Sequence, residues 1–390
     1  MLDLGSVKKQ LKHMVKEKIE TRGLFHEKLK QGWSELKRWQ EEWEILQRKV
    51  EEAKTSWLLA KPCESFTIKR SVNERPKEIT VIATDGSQIF PDHHEISSCY
   101  LINTGYVVIH YGTKEKPLME QEAILYYKDH DLFEQINGRK ISVNTTIVSA
   151  RRGILEMEKL TLLLLDNSAR KHILGLVDGT LILWPLEGSA PDFRDKILKS
   201  FITYMDKLRD KKIPLASYLS RPRTNDFSNS LRVGLCPEKK VSCDRCPYKD
   251  QLFLPCSPLE GITDAMLFKG VIKEGERSPL FESSSGIISH YGEHKILFYY
   301  MHTGQEIGRV EIPVWVAKNE ELLNLTHSVI YDQVKKGGGY PVVLSEAHEK
   351  AVIRGTDREI FYRMISDTLV EEKIPVTMSA KKASKEVVRI

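Results

Sequence analysis

A mixed α/β fold, a sheet flanked by helices, is predicted for this 390-residue chain by three observations. Apolar, β-branched runs at residues 79–84 and 173–184 have the length and composition of buried strands. Amphipathic stretches stand between such runs, the longest being "VSARRGILEMEKLTLLLLDNSAR". Strand-like runs crowd together ahead of that first long crossover, which places an antiparallel meander before the α/β units.

Residues 1–60 hold almost no Gly or Pro and read as helix. A first helix over residues 4–20 is expected to turn near Arg22-Gly23. From Leu29 the apolar positions Trp33, Leu36, Trp39, Trp43, Leu46, Val50, Ala53 and Trp57 follow at steps of mostly three and four, a heptad-like stripe that must be covered by the chain or by a second copy. "AKPCESF" and "NERPKE" then mark a boundary.

Residues 79–84 form the first strand, and "ISSCYLINTGYVVIHYG" reads as two strands joined at Asn103-Thr104-Gly105. The long helix follows, then a buried strand at 173–184, a helix over 192–215, and a loop-rich stretch at 219–260. "HKILFYYM" and "GRVEIPVWVA" read as strands, residues 319–336 and 345–370 as helices, and "SAKKASKEVVRI" as a frayed end or edge strand. This order suits a ribonuclease H-like mixed sheet. The domain reading is a coiled-coil-like arm over 1–60 and an α/β domain over 78–375 with a cysteine-rich insertion at 219–260.

The bulk numbers exclude some classes. Hydrophobic residues make up 41% and charged residues 29%, an ordinary soluble composition. The longest apolar run falls far short of the roughly 20 residues a bilayer span needs. The lysine-rich N-terminus has no signal-peptide core. A cytoplasmic protein with no membrane partner is expected. A formal charge of +5 mildly favours a polyanionic partner. In a reducing compartment the six cysteines are thiols or metal ligands, not disulfides.

The chemistry concentrates in two Asp-Gly pairs. Asp85 is expected at the end of the first strand and Asp178 at the end of the strand after the helix. On neighbouring strands the two carboxylates would share one crevice, with Glu156 or Glu158 leaning in from the helix between. Three hard oxygen ligands from three elements suit Mg²⁺ or Mn²⁺ and phosphodiester hydrolysis. The glycine after each Asp would let a phosphate approach. Ordinary Asp-Gly turns are the alternative. "VDGTL" also resembles the strand end of haloacid-dehalogenase-type phosphatases, but the nucleophilic Asp two positions earlier is absent: Leu176 precedes Asp178 and Ala83 precedes Asp85.

With these residues in place, the chain resembles the NurA nuclease family. "TDGSQIFPDHHE" is similar to its first motif, "RRGILEMEKL" to its acidic helix, and "LVDGTL" to its second acidic strand with Thr180 in place of serine. "GRVEIPVWVA" and "GYPVVLSEAHEKAVIRGTDREIFYRMI" resemble its C-terminal block, across residues 78–370 in family order. The resemblance implies a Mn²⁺-stimulated single-strand endonuclease and 5′–3′ exonuclease in DNA end resection and repair, forming a homodimer that docks on a HerA-type hexameric ATPase translocase. It implies Asp85, Glu156 and Asp178 as metal ligands and His348 as a further ligand or phosphate-orienting group. Asp264 and Asp357 are possible extra acids. Arg309 and Glu311 sit on an alternating strand, either as a solvated face or with the arginine on a phosphate; Arg151 and Arg152 pose the same choice at the helix start.

Cys236, Cys243, Cys246 and Cys256 fall within one short stretch around a Cys-x2-Cys core, a knuckle pattern that four thiolates would close around Zn²⁺ or, second, an iron–sulfur cluster. This knuckle is not a recognised core feature of the family. Unrelated thiols are the bland reading. Two further functions stand beside the nuclease: a catalytically inactive nucleic-acid-binding adaptor, and an RNA-directed nuclease of the same fold.

Overall fold

The computed structural model describes residues 2–66, 70–91 and 99–374. The chain divides into two compact units, one drawn from the described parts of residues 1–72, 219–288 and 296–311, the other from those of 73–218, 289–295 and 312–390. The helices of 1–60 and the cysteine stretch, separate in the sequence reading, therefore share the first unit.

Five strands of the main sheet belong to the second unit, which also holds a separate pair, Phe133–Ile136 with Arg139–Ser142. β1 (Ile79–Ile89), β2 (Tyr100–Tyr111) and β3 (Leu118–Tyr126) form an antiparallel meander. The helix α1 (Thr145–Asp166) leads to β4 (Ile173–Asp178), parallel to β1. The helix α2 (Pro191–Asp210) leads to β5 (Leu215–Leu219), parallel to β4. The spatial order is β5-β4-β1-β2-β3, and each parallel neighbour is reached through a helical crossover, as parallel pairing requires. Three helices follow: α3 (Glu320–Lys336), α4 (Val342–Ala351) and α5 (Gly355–Glu371). The single helix expected over 345–370 is thus two, broken at 352–354.

Side chains alternate across a strand, and this alternation puts α1 and α4 on opposite faces of β1. A Cβ on Gly86 would collide with Glu156 Oε1 on α1, and one on Gly175 would come within 2.6 Å of Leu164 on the same helix. Gly105, paired with Asp85, faces the other way: its Cβ would lie 2.5 Å from Ala347 O and Ala351 N of α4. Gly105 is therefore a seat for α4 within one unbroken strand, not the turn expected at Asn103-Gly105. β3 went unread because its pattern is nearly all exposed.

In the first unit the helix Leu4–Arg38 runs straight through Arg22-Gly23, without the expected turn. The break falls at residues 39–42, before a second helix, Trp43–Glu52. The heptad-like stripe is covered by the unit's own core: Leu36, Trp39, Leu46 and Val50 are buried with Phe227, Leu231 and Leu267. Trp33 donates its indole N–H to Leu267 O at 3.0 Å, which satisfies the polar edge of a large packed ring. Strands Ala60–Pro62, Phe281–Ser283 and Ile296–His302 pair antiparallel, with Ile307–Pro313 next in order. Past Pro313 the expected strand gives way to a helical turn, Val314–Ala317. The cysteine stretch contains a helix, Asp226–Leu235, that its composition did not announce. Among the described residues no helix is long and apolar enough to cross a membrane.

Candidate active site

Asp85 lies in the middle of β1, not at its end, because the strand continues to Ile89. Asp178 does end β4. Thr84 pairs with Val177 in the parallel register, so the two aspartates that follow stand level on adjacent strands.

Asp85 is engaged twice. Its Oδ1 accepts from Gly86 N at 2.8 Å, and its Oδ2 stands 2.8 Å from His348 Nδ1. A carboxylate only accepts, so Nδ1 is the donor and the imidazole's other nitrogen is left to the surroundings. The His348 side chain is 58% exposed. Its helix is pinned one turn further on, where Asn103 Nδ2 donates to Ala351 O at 2.8 Å and Ser87 Oγ donates to the same carbonyl.

Glu156 approaches from the opposite face. Its side chain is 17% exposed, and Arg152 Nε lies 3.0 Å from Oε1, an ion pair without hydrogen-bond alignment. Burial pushes its carboxyl up to about 7; Arg152 opposes the rise, and Asp85 and Asp178 add to it. Arg152 Nη1 also reaches Gln88 Oε1 at 3.0 Å. Of the two glutamates left open by the sequence, Glu156 faces the aspartates, while Glu158 hydrogen-bonds Tyr204 of α2. The glycine after each Asp is expected from the sequence to let a phosphate approach, but at Gly86 Glu156 and Arg152 fill that space. Gly179, at φ +83, has open space where a Cβ would point, with nothing within 4 Å, and is a true turn glycine.

Sequence reasoning missed Tyr340. Its hydroxyl donates to Asp178 Oδ1 at 2.5 Å, and burial followed by that carboxylate raises its own ionisation. The ring meets Tyr218 edge-on, with centroids 5.8 Å apart. "GGGYP" places it: Gly338 and Gly339 have positive φ, and a Cβ on Gly337 would collide with Tyr340 O. That glycine run was the available signal.

The donor set fits a hard divalent cation by chemistry: three carboxylates, one of them buried with an oxygen lacking any hydrogen bond. Among the described residues no three His, Cys, Asp or Glu side chains stand close enough to share one ion as placed. Each acid is instead held by another side chain: Asp85 by His348, Glu156 by Arg152 and Asp178 by Tyr340.

The remaining candidates fall elsewhere. Arg309 is 1% exposed and pairs with Asp226 Oδ2 at 2.8 Å and Glu311 at 2.9 Å, so it is neither on a solvated face nor free for a phosphate. Asp264 is buried in the same first unit, accepting from Phe227 N, Ser228 N and Tyr300 OH. Asp357 accepts from Arg354 N at the start of α5. Arg151 is tied to Glu134 and to Asp131 O. The "DHHE" part of the first motif and the tail from 379 lie outside the described residues.

In the first unit Cys236, Cys243, Cys246 and Cys256 are free and half-buried. Burial raises the Cys243 thiol, and Cys256, Cys246 and Cys236 add to the rise, although no three of the four stand close enough to share one ion. Lys54 links this loop to the N-terminal helices by accepting from Cys243 N and donating to Val241 O, each at 2.9 Å.

No curated protein matches the chain. The solved structure of the NurA nuclease from Sulfolobus solfataricus is similar in fold, with a TM-score of 0.51 at 15% identity, covering 95% of this chain and 98% of that one. The family model for the NurA domain matches residues 79–353, well over half of the sequence. The chain belongs to the NurA domain family.

Proposed function

We propose that this chain is a metal-dependent deoxyribonuclease that hydrolyses phosphodiesters at Asp85, Glu156 and Asp178. The observation that carries this reading is the level placement of Asp85 and Asp178 on adjacent parallel strands, with Glu156 coming from a third element and one of its buried oxygens lacking a hydrogen bond. The solved relative of similar fold is described as a nuclease, which supports the same chemistry here. The meander with two parallel strands added beside β1 supports a ribonuclease H-like sheet.

Mn²⁺ or Mg²⁺ held by Asp85, Glu156 and Asp178 would supply Lewis acidity and a nucleophilic water at neutral pH. The chain's own groups do the rest. Glu156 supplies a buried carboxylate oxygen that makes no hydrogen bond of its own, and burial favours its protonated form until a cation is present. Asp85 fixes the His348 ring so that its exposed edge orients or protonates a phosphate oxygen. Tyr340 holds one oxygen of Asp178 and leaves the other for the ion. Arg152 offsets carboxylate charge until substrate arrives.

The biological setting we assign is a cytoplasmic single-strand endonuclease and 5′–3′ exonuclease in end resection, working as a homodimer with a HerA-type translocase. The four cysteines hold a structural Zn²⁺ in this reading. The test is cleavage of labelled single-stranded DNA, with and without the translocase, in Mn²⁺, Mg²⁺ or EDTA, wild type beside Asp178→Ala. Cleavage that needs both metal and Asp178 supports the proposal. Salt-sensitive DNA binding without cleavage in every metal and with the translocase overturns it in favour of an adaptor.

A further inference from the structure

Behind the carboxylates the second unit encloses a cavity of about 500 Å³, within the range of clefts that take small ligands. Glu156, Arg152 and Asp178 line one part of it, and Ile197 and Phe201 of α2 another. Ser149 and Thr146, on the first turns of α1, contribute hydroxyls.

One residue of the lining is unexplained by folding. Gly153 sits inside α1, where glycine weakens a helix relative to any ordinary residue. Its backbone is ordinary, and a Cβ there would meet nothing within 4 Å. Gly86, Gly105 and Gly175 are glycines because something presses on them; Gly153 is not. Its one structural consequence is an open wall beside Arg152.

We propose that this cavity is a base pocket: it receives one unpaired nucleobase flanking the phosphate held at the carboxylates. This rests on the nuclease reading above. The chemistry of the walls selects the occupant. A base presents flat apolar faces and polar edges, which match the aliphatic and aromatic lining and the Ser149 and Thr146 hydroxyls. Arg152 supplies positive charge where the phosphate joins the sugar. A base still paired in a duplex would first have to leave its stack, so the pocket makes the site selective for single strands.

Gly153→Leu tests this, because leucine favours the helix and fills the opening; Ala150→Leu, a second lining position on α1, repeats the test if the first variant misfolds. Two readouts are used. In EDTA, a single-stranded oligonucleotide carrying 2-aminopurine reports base capture by a saturable fluorescence change. In Mn²⁺, cleavage is compared at a base-bearing site and at an abasic site. The wild type should cut beside a base about tenfold faster than beside an abasic position, the scale of one stacked base. Gly153→Leu should abolish both that preference and the fluorescence change while keeping or raising Tm. An unchanged preference, or an unchanged fluorescence change, in a folded variant overturns the pocket. If the wild type cuts nothing in any metal with the translocase present, the nuclease reading fails by itself, and the 2-aminopurine signal still decides whether the cavity takes a base.

Discussion

His348 Nδ1 and Asp85 Oδ2 stand 2.8 Å apart across 263 residues of sequence. The pair exists because α4 lies directly on β2, and it can lie there only because position 105 has no side chain. Gly105→Ala would drive a Cβ to 2.5 Å from backbone atoms of α4. The backbone cannot yield as a flexible side chain would, so we expect a loss of about 1–3 kcal/mol by denaturant unfolding. Cleavage should fall further than folding explains. His348→Ala should keep the stability and lose the same activity, and a Gly105→Ala protein that is folded and fully active would refute the coupling.

Tyr340 holds Asp178 by one oxygen. A hydrogen bond to a ligating carboxylate orients it, and its removal typically weakens metal binding about 10–100-fold. Tyr340→Phe should therefore raise the Mn²⁺ concentration for half-maximal cleavage by that order and leave the rate at saturating Mn²⁺ nearly unchanged. A titration showing the reverse split would mean that the hydroxyl touches the substrate.

Glu156 has its folded ionisation raised to about 7, above its ordinary value. A raised acid binds its proton more tightly in the folded state, so its contribution is fully present below the unfolded pKa and lost as pH climbs through about 7. Above that pH the metal-free protein bears the cost of a buried anion. Glu156→Gln removes it. The variant should gain on the order of 2 kcal/mol at pH 8 and nothing at pH 4, while losing cleavage. Equal melting shifts at both pH values would show that ionisation is not the cause.

The two aspartates could be placed on neighbouring strands from the sequence because each comes after an apolar run, and such runs are what the local pattern reports best. Their partners could not. Tyr340 reaches Asp178 only through the fold of a glycine run, and nothing local links it to a strand 162 residues earlier. Arg309 misled for a different reason: alternating charge on a strand implies one wet face, but Ile307–Pro313 is buried throughout. β3 failed in the opposite sense, being an exposed strand with little apolar signal. Glycines were read as turns or phosphate seats, whereas Gly86 and Gly105 record where helices press on the sheet.

The cysteine loop is tied to the N-terminal helices through Lys54, and its three other thiols act on Cys243 electrostatically. If these close on Zn²⁺, the purified protein should carry stoichiometric zinc by elemental analysis. Cys243→Ser should lose it and open the first unit to proteolysis near residue 240, with Asp178-dependent chemistry retained at low temperature. Metal-free protein with the same protease pattern as the zinc-loaded form would leave the thiols without a structural ion.

Arg309 gives the sharpest stability test. It is buried with Asp226 and Glu311, and its guanidinium stands 3.7 Å from the Phe298 ring centroid. Removing one member of a buried pair leaves the other charge unpaired, which costs about 3–5 kcal/mol, whereas replacing the whole set by apolar residues is often neutral. Arg309→Leu should therefore unfold at much lower denaturant. Asp226→Asn added to it should restore part of the loss, because one of the two stranded anions is gone. Recovery in the double variant would assign the cost to the unpaired carboxylate; additive losses would assign it to the packing of the guanidinium on Phe298.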